Sequence, residues 1–262
     1  MSPKGASMPN KLNPQRWLPV EGAYNVRDLG GYETTDGRKT RWQTFLRADD
    51  MHRLTERSQD QLIDYGLKTV VDLRRTPQLE NAPNVFADSC RVAYLHLNMV
   101  GDEPLSQDDE PPDKTSSYAM NRLYGYRRIL EQRKDIVRDI LTALATPDRL
   151  PALFHCSAGT DRTGIVSALL LGLAGVPDET IGHDYALSGE AIFDRYKAEG
   201  FPESLEGEEI TRENASEFFA PAEGMILVLG YLSDDYGGVE SYVRHVGLTD
   251  EHVASIREVI LE

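Results

Sequence analysis

Apolar positions along the chain follow two alternating periods. Short apolar runs ending in polar residues occur at "KTVVDLR" (68–74) and "RVAYLHLNM" (91–99), and a third, "ALFHC", occupies 152–156; each reads as a strand. Between and after them apolar residues recur at helical spacing. "LTERSQDQLIDYG" predicts a helix with Thr55 as its cap and Gly66 as its stop, and the pattern from Ser117 to Thr146 predicts one long helix closed by Pro147. "RTGIVSALLLGLAG" predicts a buried helix packed through small residues, "DETIGHDYALS" a second, and the block from Met225 onward a helical C-terminus. "GRKTRWQTFLRAD", after the Asp36-Gly37 turn signal, reads as a hairpin arm. Strands interleaved with helices, without an internal repeat, predict an α/β fold: a central, mostly parallel sheet flanked by helices.

Two stretches depart from this pattern. "GDEPLSQDDEPPD" (101–113) is acidic and rich in proline, the composition of a mobile loop. Residues 190–223 carry ten Asp/Glu against three Lys/Arg and separate the central helices from the C-terminal block, as an insertion or lid would. The remainder suffices for one domain over 18–262, preceded by a tail over 1–17.

Charge and cysteine usage narrow the function. A formal net charge of -15 argues against nucleic acid and against stable association with an anionic membrane, while leaving room for a local positive pocket. No apolar run approaches the roughly 20 residues that span a bilayer, and the first residues lack the apolar stretch of an export signal, so a cytoplasmic location is expected. Two cysteines, Cys90 and Cys156, make no disulfide framework, and His155 beside Cys156 has no second Cys/His pair to complete a zinc site. Neither metal nor cofactor is called for.

The chemistry concentrates in "LFHCSAGTDRTGI" (153–165). A Cys followed six positions later by Arg is weak evidence alone; Cys90 has His96 at that place. Around Cys156 the context is sharper: a strand before it, Gly159 inside the loop, Arg162 followed by Thr163-Gly164, and a helix leaving there. Such a loop points backbone N–H groups of Ser157, Ala158, Gly159, Thr160, Asp161 and Arg162 at one spot, and the helix dipole adds to their field. An anion is favoured there, and so is the thiolate of Cys156. Arg162 has the planar fork that grips two phosphate oxygens. The reaction these residues imply is attack of Cys156 on phosphorus, giving a cysteinyl phosphate that water then hydrolyses.

"HCSAGTDRTG" resembles the signature of the cysteine-dependent tyrosine phosphatase superfamily. "YNVRDLGGY", "LRADDMHRLT", "VVDLRRTPQLE", "HDYALS" and "YGGVESYVRHVGLTDEHVASIREVIL" resemble, in order, the blocks of a bacterial tyrosine/serine phosphatase family, over roughly residues 18 to 261. The resemblance implies a protein-tyrosine-phosphatase-like fold with a helical lid at 190–223. It implies phosphorylated protein or peptide substrates, with phosphoinositides as the alternative and a phosphoprotein-binding pseudoenzyme as a further one. Lipid-active members resemble HCxxGKDRTG; Thr160 stands where they carry Lys, which argues against inositol phosphates.

Hydrolysis of an aryl or alkyl phosphate calls for a proton donor. The resemblance implies Asp161, inside the loop, or Asp72, at the carboxyl end of a predicted strand. His155 reads as a residue that orients the loop, or as a core histidine. Thr163 reads as a hydroxyl donor to the sulfur, or as a first-turn cap. Arg74 and Arg75 read as substrate-binding or as a solvated pair. "NVRDLGGY" reads as a turn that packs under the site, with Asn25, Arg27 and Asp28 given no chemistry.

Overall fold

Adjacent residues of the buried strands turn to opposite layers, the period-2 geometry of a pleated sheet. In the strand Ala152–His155, Ala152 and Phe154 join one apolar cluster and Leu153 joins another on the opposite face. The computed structural model describes residues 14–106, 117–205 and 207–262. In chain order its strands are β1 (Arg27–Asp28), β2 (Phe45–Ala48), β3 (Thr69–Asp72), β4 (Ala93–His96) and β5 (Ala152–His155). Its α-helices are α1 (Glu56–Asp64), α2 (Thr76–Asn81), α3 (Tyr118–Gln132), α4 (Lys134–Leu144), α5 (Asp161–Ala174), α6 (Asp178–Glu199), α7 (Ala215–Phe219), α8 (Ala222–Tyr236), α9 (Val239–His245) and α10 (Asp250–Ile260).

The strands form one sheet in the order β1-β2-β5-β3-β4, parallel except for β1. β5 is central, with His155 in register with Ala48 on one side and Asp72 on the other. The larger core packs α3, α4, α5, α8, α9 and α10 against one face of the sheet; the smaller packs α1 against the other. The carboxyl ends of β2, β3 and β5 therefore meet at one edge, where sites form in open α/β sheets.

Several expected elements appear as read. Thr55 caps α1 by accepting from the Ser58 amide, and Ser117 caps α3 by accepting from the Met120 amide. The Asp36-Gly37 turn is closed by the bridge Glu33↔Lys39; in the arm beyond it Thr40 bridges Leu261, and β2 runs antiparallel to β1.

Other expectations need correction. The predicted helix over 117–146 is two, α3 and α4, separated where Arg133 leaves helical geometry at φ -124 and ψ 35. Neither Gly nor Pro marks that break. The acidic stretch 190–223 is not a separate insertion from its start, because α6 runs unbroken from Asp178 to Glu199; α7 then folds back onto it. The Cβ that Gly189 lacks would lie 2.5 Å from Ser216 Cα. At the N-terminal end, Arg16 is already buried and donates to the Asp28 carbonyl, so the chain is built into the domain before residue 18. Most of the tail, and residues 107–113 of the acidic Pro-rich loop, lie outside the described residues.

Candidate active site

β5 ends at His155, and the chain turns at once into the loop 156–160, from which α5 starts at Asp161. Four consecutive loop carbonyls are held from behind. His155 Nδ1 donates to the Cys156 carbonyl at 3.0 Å. The Asp50 amide (3.1 Å) and Arg195 Nη1 (2.6 Å) donate to that of Ser157. Asn25 Nδ2 reaches the Ala158 and Gly159 carbonyls at 3.0 and 3.2 Å, and Arg47 Nη2 adds a bond to Gly159 at 2.8 Å. With its oxygens tied to the scaffold, the loop is left to present its N–H groups on the other side, where α5 begins. Gly159 is required at its turn: φ is +68, and a Cβ would lie 2.5 Å from the Ala48 carbonyl oxygen.

The scaffold behind the loop is ionic and buried. Asp184 of α6 accepts from Arg27 Nε (3.2 Å), Arg47 Nη1 (2.5 Å) and the Tyr32 hydroxyl (2.7 Å), while Ser188, one turn on, accepts from both arginines. Burial alone would raise the Asp184 carboxyl, but Arg27 and Arg47 outweigh it and hold the group well below the usual range. Burial, with Arg27 adjacent, pushes Arg47 down to about 10. Arg27 also donates to the Asn25 side-chain oxygen, which turns the Asn25 amide nitrogen toward the loop. "NVRDLGGY" and "HDYALS" thus meet beneath "CSAG", and Asn25 and Arg27 hold the loop in place.

Each residue expected at the site has a definite position. Cys156 is 2% exposed at the base of the loop. Arg162 donates through Nη1 to Gln78 Oε1 (3.1 Å) and through Nη2 to Ser157 Oγ (3.3 Å). Asp161 is 42% exposed at the front, where Arg122 Nη1 (2.7 Å) and the Tyr126 hydroxyl (2.6 Å) both meet its Oδ1. Burial and Asp161 hold the Tyr126 phenol well above its ordinary pKa, so it stays a donor. Thr160 is buried, with its hydroxyl on the Ala158 carbonyl at 3.4 Å.

Asp72 is corrected as a proton donor. Its carboxylate is fully buried among Arg74, Tyr94, Asn84 and His155. Burial raises it, but His155 and Arg74 outweigh burial and hold it well below the ordinary range. Arg74 is neither solvated nor aimed at substrate: it ties Asp72 to Asp50 and to the Ala82 carbonyl. Arg75 turns to the carbonyls of Gly101 and Asp102. His155, the remaining face of this cluster, lies against Asn84 and Asp72 through Nε2, so its orienting role has a structural basis. Thr163 is buried, and among the described residues its hydroxyl has no hydrogen-bond partner, the Cys156 sulfur included, so the expected donation to sulfur is not formed.

Gln78, Arg122, Arg47 and Arg195 were not legible as site residues. Arg195 lies on the part of α6 expected to be a lid, yet reaches Ser157 and lies 3.8 Å from buried Asp49. Beyond it, Ile192, Phe193, Leu205, Ala215 and Phe219 form a small core against which Ala158 of the loop packs. A cavity of about 650 Å³ opens between that cluster and the loop, lined by Arg122, Ala158, Asp161, Tyr196 and Phe218 among others.

Known proteins match this sequence over most of its length. The model of a family described as the tyrosine phosphatase family matches residues 18–262. A tyrosine-protein phosphatase of Nostoc commune is 27% identical over 81% of this chain and 72% of its own. A triple specificity protein phosphatase, PtpB of Mycobacterium tuberculosis, is 27% identical over 92% of this chain and 98% of its own. Among solved structures, TpbA of P. aeruginosa matches at a TM-score of 0.31 and 15% identity, covering 83% of this chain and 98% of that one. With a family match that starts at Leu18 and takes in the anchored loop, its scaffold and the C-terminal helices, the chain belongs to the tyrosine phosphatase family.

Proposed function

We propose that the protein hydrolyses phosphotyrosine in protein or peptide substrates through a phosphocysteine at Cys156, with Asp161 as the proton donor. The observation that carries this reading is the anchoring of the Cys156–Gly159 carbonyls from behind, which turns the loop into an anion cradle with Arg162 and Asp161 in front. The Cys156 thiolate attacks phosphorus and the P–O bond to the leaving group breaks. The departing oxygen takes a proton from Asp161. Both donors to Asp161 meet Oδ1, which leaves Oδ2 as the oxygen that carries that proton. Water then attacks the phosphocysteine, returns a proton to Asp161, and the P–S bond breaks to release phosphate and thiolate. The loop N–H groups and Arg162 stabilise the charge on phosphorus in both steps.

The aromatic cavity beside the loop matches a phenyl ring, which favours phosphotyrosine over a bare alkyl phosphate. Thr160 is buried and uncharged, and the α6–α7 segment over the loop is acidic; both disfavour inositol phosphates. That segment acts as a cover over the mouth of the site.

A substrate panel with EDTA present tests the reading: phosphotyrosyl, phosphoseryl and phosphothreonyl peptides beside phosphoinositides, with rapid acid quenching and mass spectrometry of the Cys156 peptide. Phosphotyrosyl peptides are expected to turn over fastest and to leave phosphate on Cys156. A faster phosphoinositide rate, or turnover without a phosphorylated Cys156, would sink the proposal.

A further inference from the structure

Gln78 lies on α2, the six-residue helix after β3, and bridges two residues of the catalytic loop that are five positions apart. Its Oε1 meets Arg162 Nη1 at 3.1 Å and the Arg75 amide at 3.1 Å, and its Nε2 meets Ser157 Oγ at 2.9 Å. The amide has only one possible sense, because a guanidinium N–H and a backbone N–H are both obligatory donors and must face the oxygen. The nitrogen therefore donates to Ser157. Arg162 Nη2 donates to the same Ser157 Oγ at 3.3 Å, so that hydroxyl accepts two bonds. A hydroxyl has two acceptor sites and one hydrogen. With both acceptor sites taken, the Ser157 hydrogen is directed away from Gln78 and Arg162.

We propose that Gln78 is a positioning residue for phosphate capture: its amide fixes the plane of the Arg162 guanidinium and commits the Ser157 hydroxyl as a donor to the phosphoryl oxygens held in the loop. The inference rests on Arg162 being the side chain that grips phosphate. Neutrality is essential to the role. A carboxylate at position 78 would pair with Arg162 and draw its charge away from the phosphoryl group. It would also present only acceptors, so the Ser157 hydrogen would turn to it instead of to the phosphate. Capping of α2 does not account for the arrangement, since the cap uses Oε1 alone and leaves the Nε2–Ser157 bond without a purpose.

The experiment compares vanadate inhibition, kcat and KM on a small aryl phosphate for the wild type, Q78E, Q78A, S157A and the double variant Q78A/S157A, with R162K as reference. The inhibition constant is the decisive readout, because partial unfolding lowers the active fraction without changing it. Q78E is expected to weaken vanadate inhibition about tenfold or more, the size of one lost charge-assisted hydrogen bond. Q78A and S157A are expected to weaken it less, and their effects not to add, because both break one bridge. Vanadate inhibition of Q78E and Q78A within twofold of the wild type, beside a crippled R162K, overturns the role of Gln78 and leaves that of Arg162 intact. Fully additive single effects overturn the bridge. Near-normal turnover by R162K overturns both assignments.

Discussion

The two sides of the Cys156 loop are built from opposite materials. Behind it, Arg27, Arg47, Asp184 and Ser188 are each at most 1% exposed, and two arginines share one carboxylate. In front, Asp161 is 42% exposed and its partner Arg122 is 30% exposed, at the mouth of a cavity. A buried ionic cluster is costly to assemble and costly to break, since removing one member strands the others in a low dielectric. A half-exposed pair is cheap to break and free to exchange partners when a dianion arrives. The loop needs both: rigidity from a back that cannot rearrange, and proton traffic through a front that can.

That contrast gives an ordered set of expectations. The largest effect comes from the loop between the two sides, without loss of structure: Cys156→Ser should drop turnover to background while vanadate still protects the protein against thermal unfolding, since the loop and Arg162 remain. Melting curves with and without vanadate check it; residual turnover well above background contradicts it. The next comes from the back. Asp184→Asn leaves two buried guanidinium groups facing a neutral amide and should cost about 3–5 kcal/mol of stability, or about 10 °C in melting temperature for a chain of this size. A shift of only a degree or two would mean that Arg27 and Arg47 find other partners.

A smaller and more selective effect is expected from Asp161→Asn. Loss of a general acid should slow alkyl phosphates and phosphotyrosine about a hundredfold and activated aryl phosphates far less, because a good leaving group departs without a proton. Equal losses on both would make Asp161 a structural carboxylate.

The smallest expectation lies at the seam between the two sides. Burial pushes the Asp49 carboxyl up to about 6, although the Asn25 and Tyr24 amides and Arg195 pull it down; an unfolded chain titrates such a group near 3.9, roughly. The folded protein then holds the Asp49 proton more tightly than the unfolded one. Its contribution to stability is present at low pH and is lost as pH rises from about 4 through about 6, to a total of about 2–3 kcal/mol. Asp49→Asn should remove that slope, and denaturant titrations at the two ends of the window measure the change. An identical slope in the variant would assign it to other carboxylates.

What the sequence displayed and what it concealed divide along the same boundary. Cys156, Gly159 and Arg162 were legible because one short segment contains them and each residue type has a local reason to be there. β2 to β5 and α1 were legible from period, turn signal and caps, whereas β1 lies in a segment that reads as a turn. The back of the site was legible only in that "NVRDLGGY" reads as packing under it; its other members lie far apart in the chain. Asn25, Arg47 and Asp184 meet only after β2 pairs with β5 and α6 docks beneath. Nothing local distinguishes Arg47 from a surface arginine beside a strand. Asp72 misled for the converse reason: its place at a strand end fits a catalytic carboxylate, and only the arrival of Arg74 and His155 shows that it is already engaged. The break at Arg133 was hidden because apolar spacing survives a change of axis, so periodicity reports faces and not continuity.

α6 is one uninterrupted rod from Asp178 to Glu199; through Asp184 and Ser188 it holds the arginines behind the loop, and through Arg195 it reaches the Ser157 carbonyl itself. A rod gripped at two points cannot serve as the moving part of a gate, so any opening pivots beyond its end, at Gly200, where φ is +102 and no atom would crowd a side chain. Between there and Ala215, Leu205 belongs to the core against which Ala158 packs, so length and sequence can be exchanged in this stretch without disturbing the catalytic frame where that leucine is kept. Grafting a foreign segment with that leucine between Gly200 and Ala215 offers a way to retarget substrate choice while the machinery for breaking the phosphate ester is inherited unchanged.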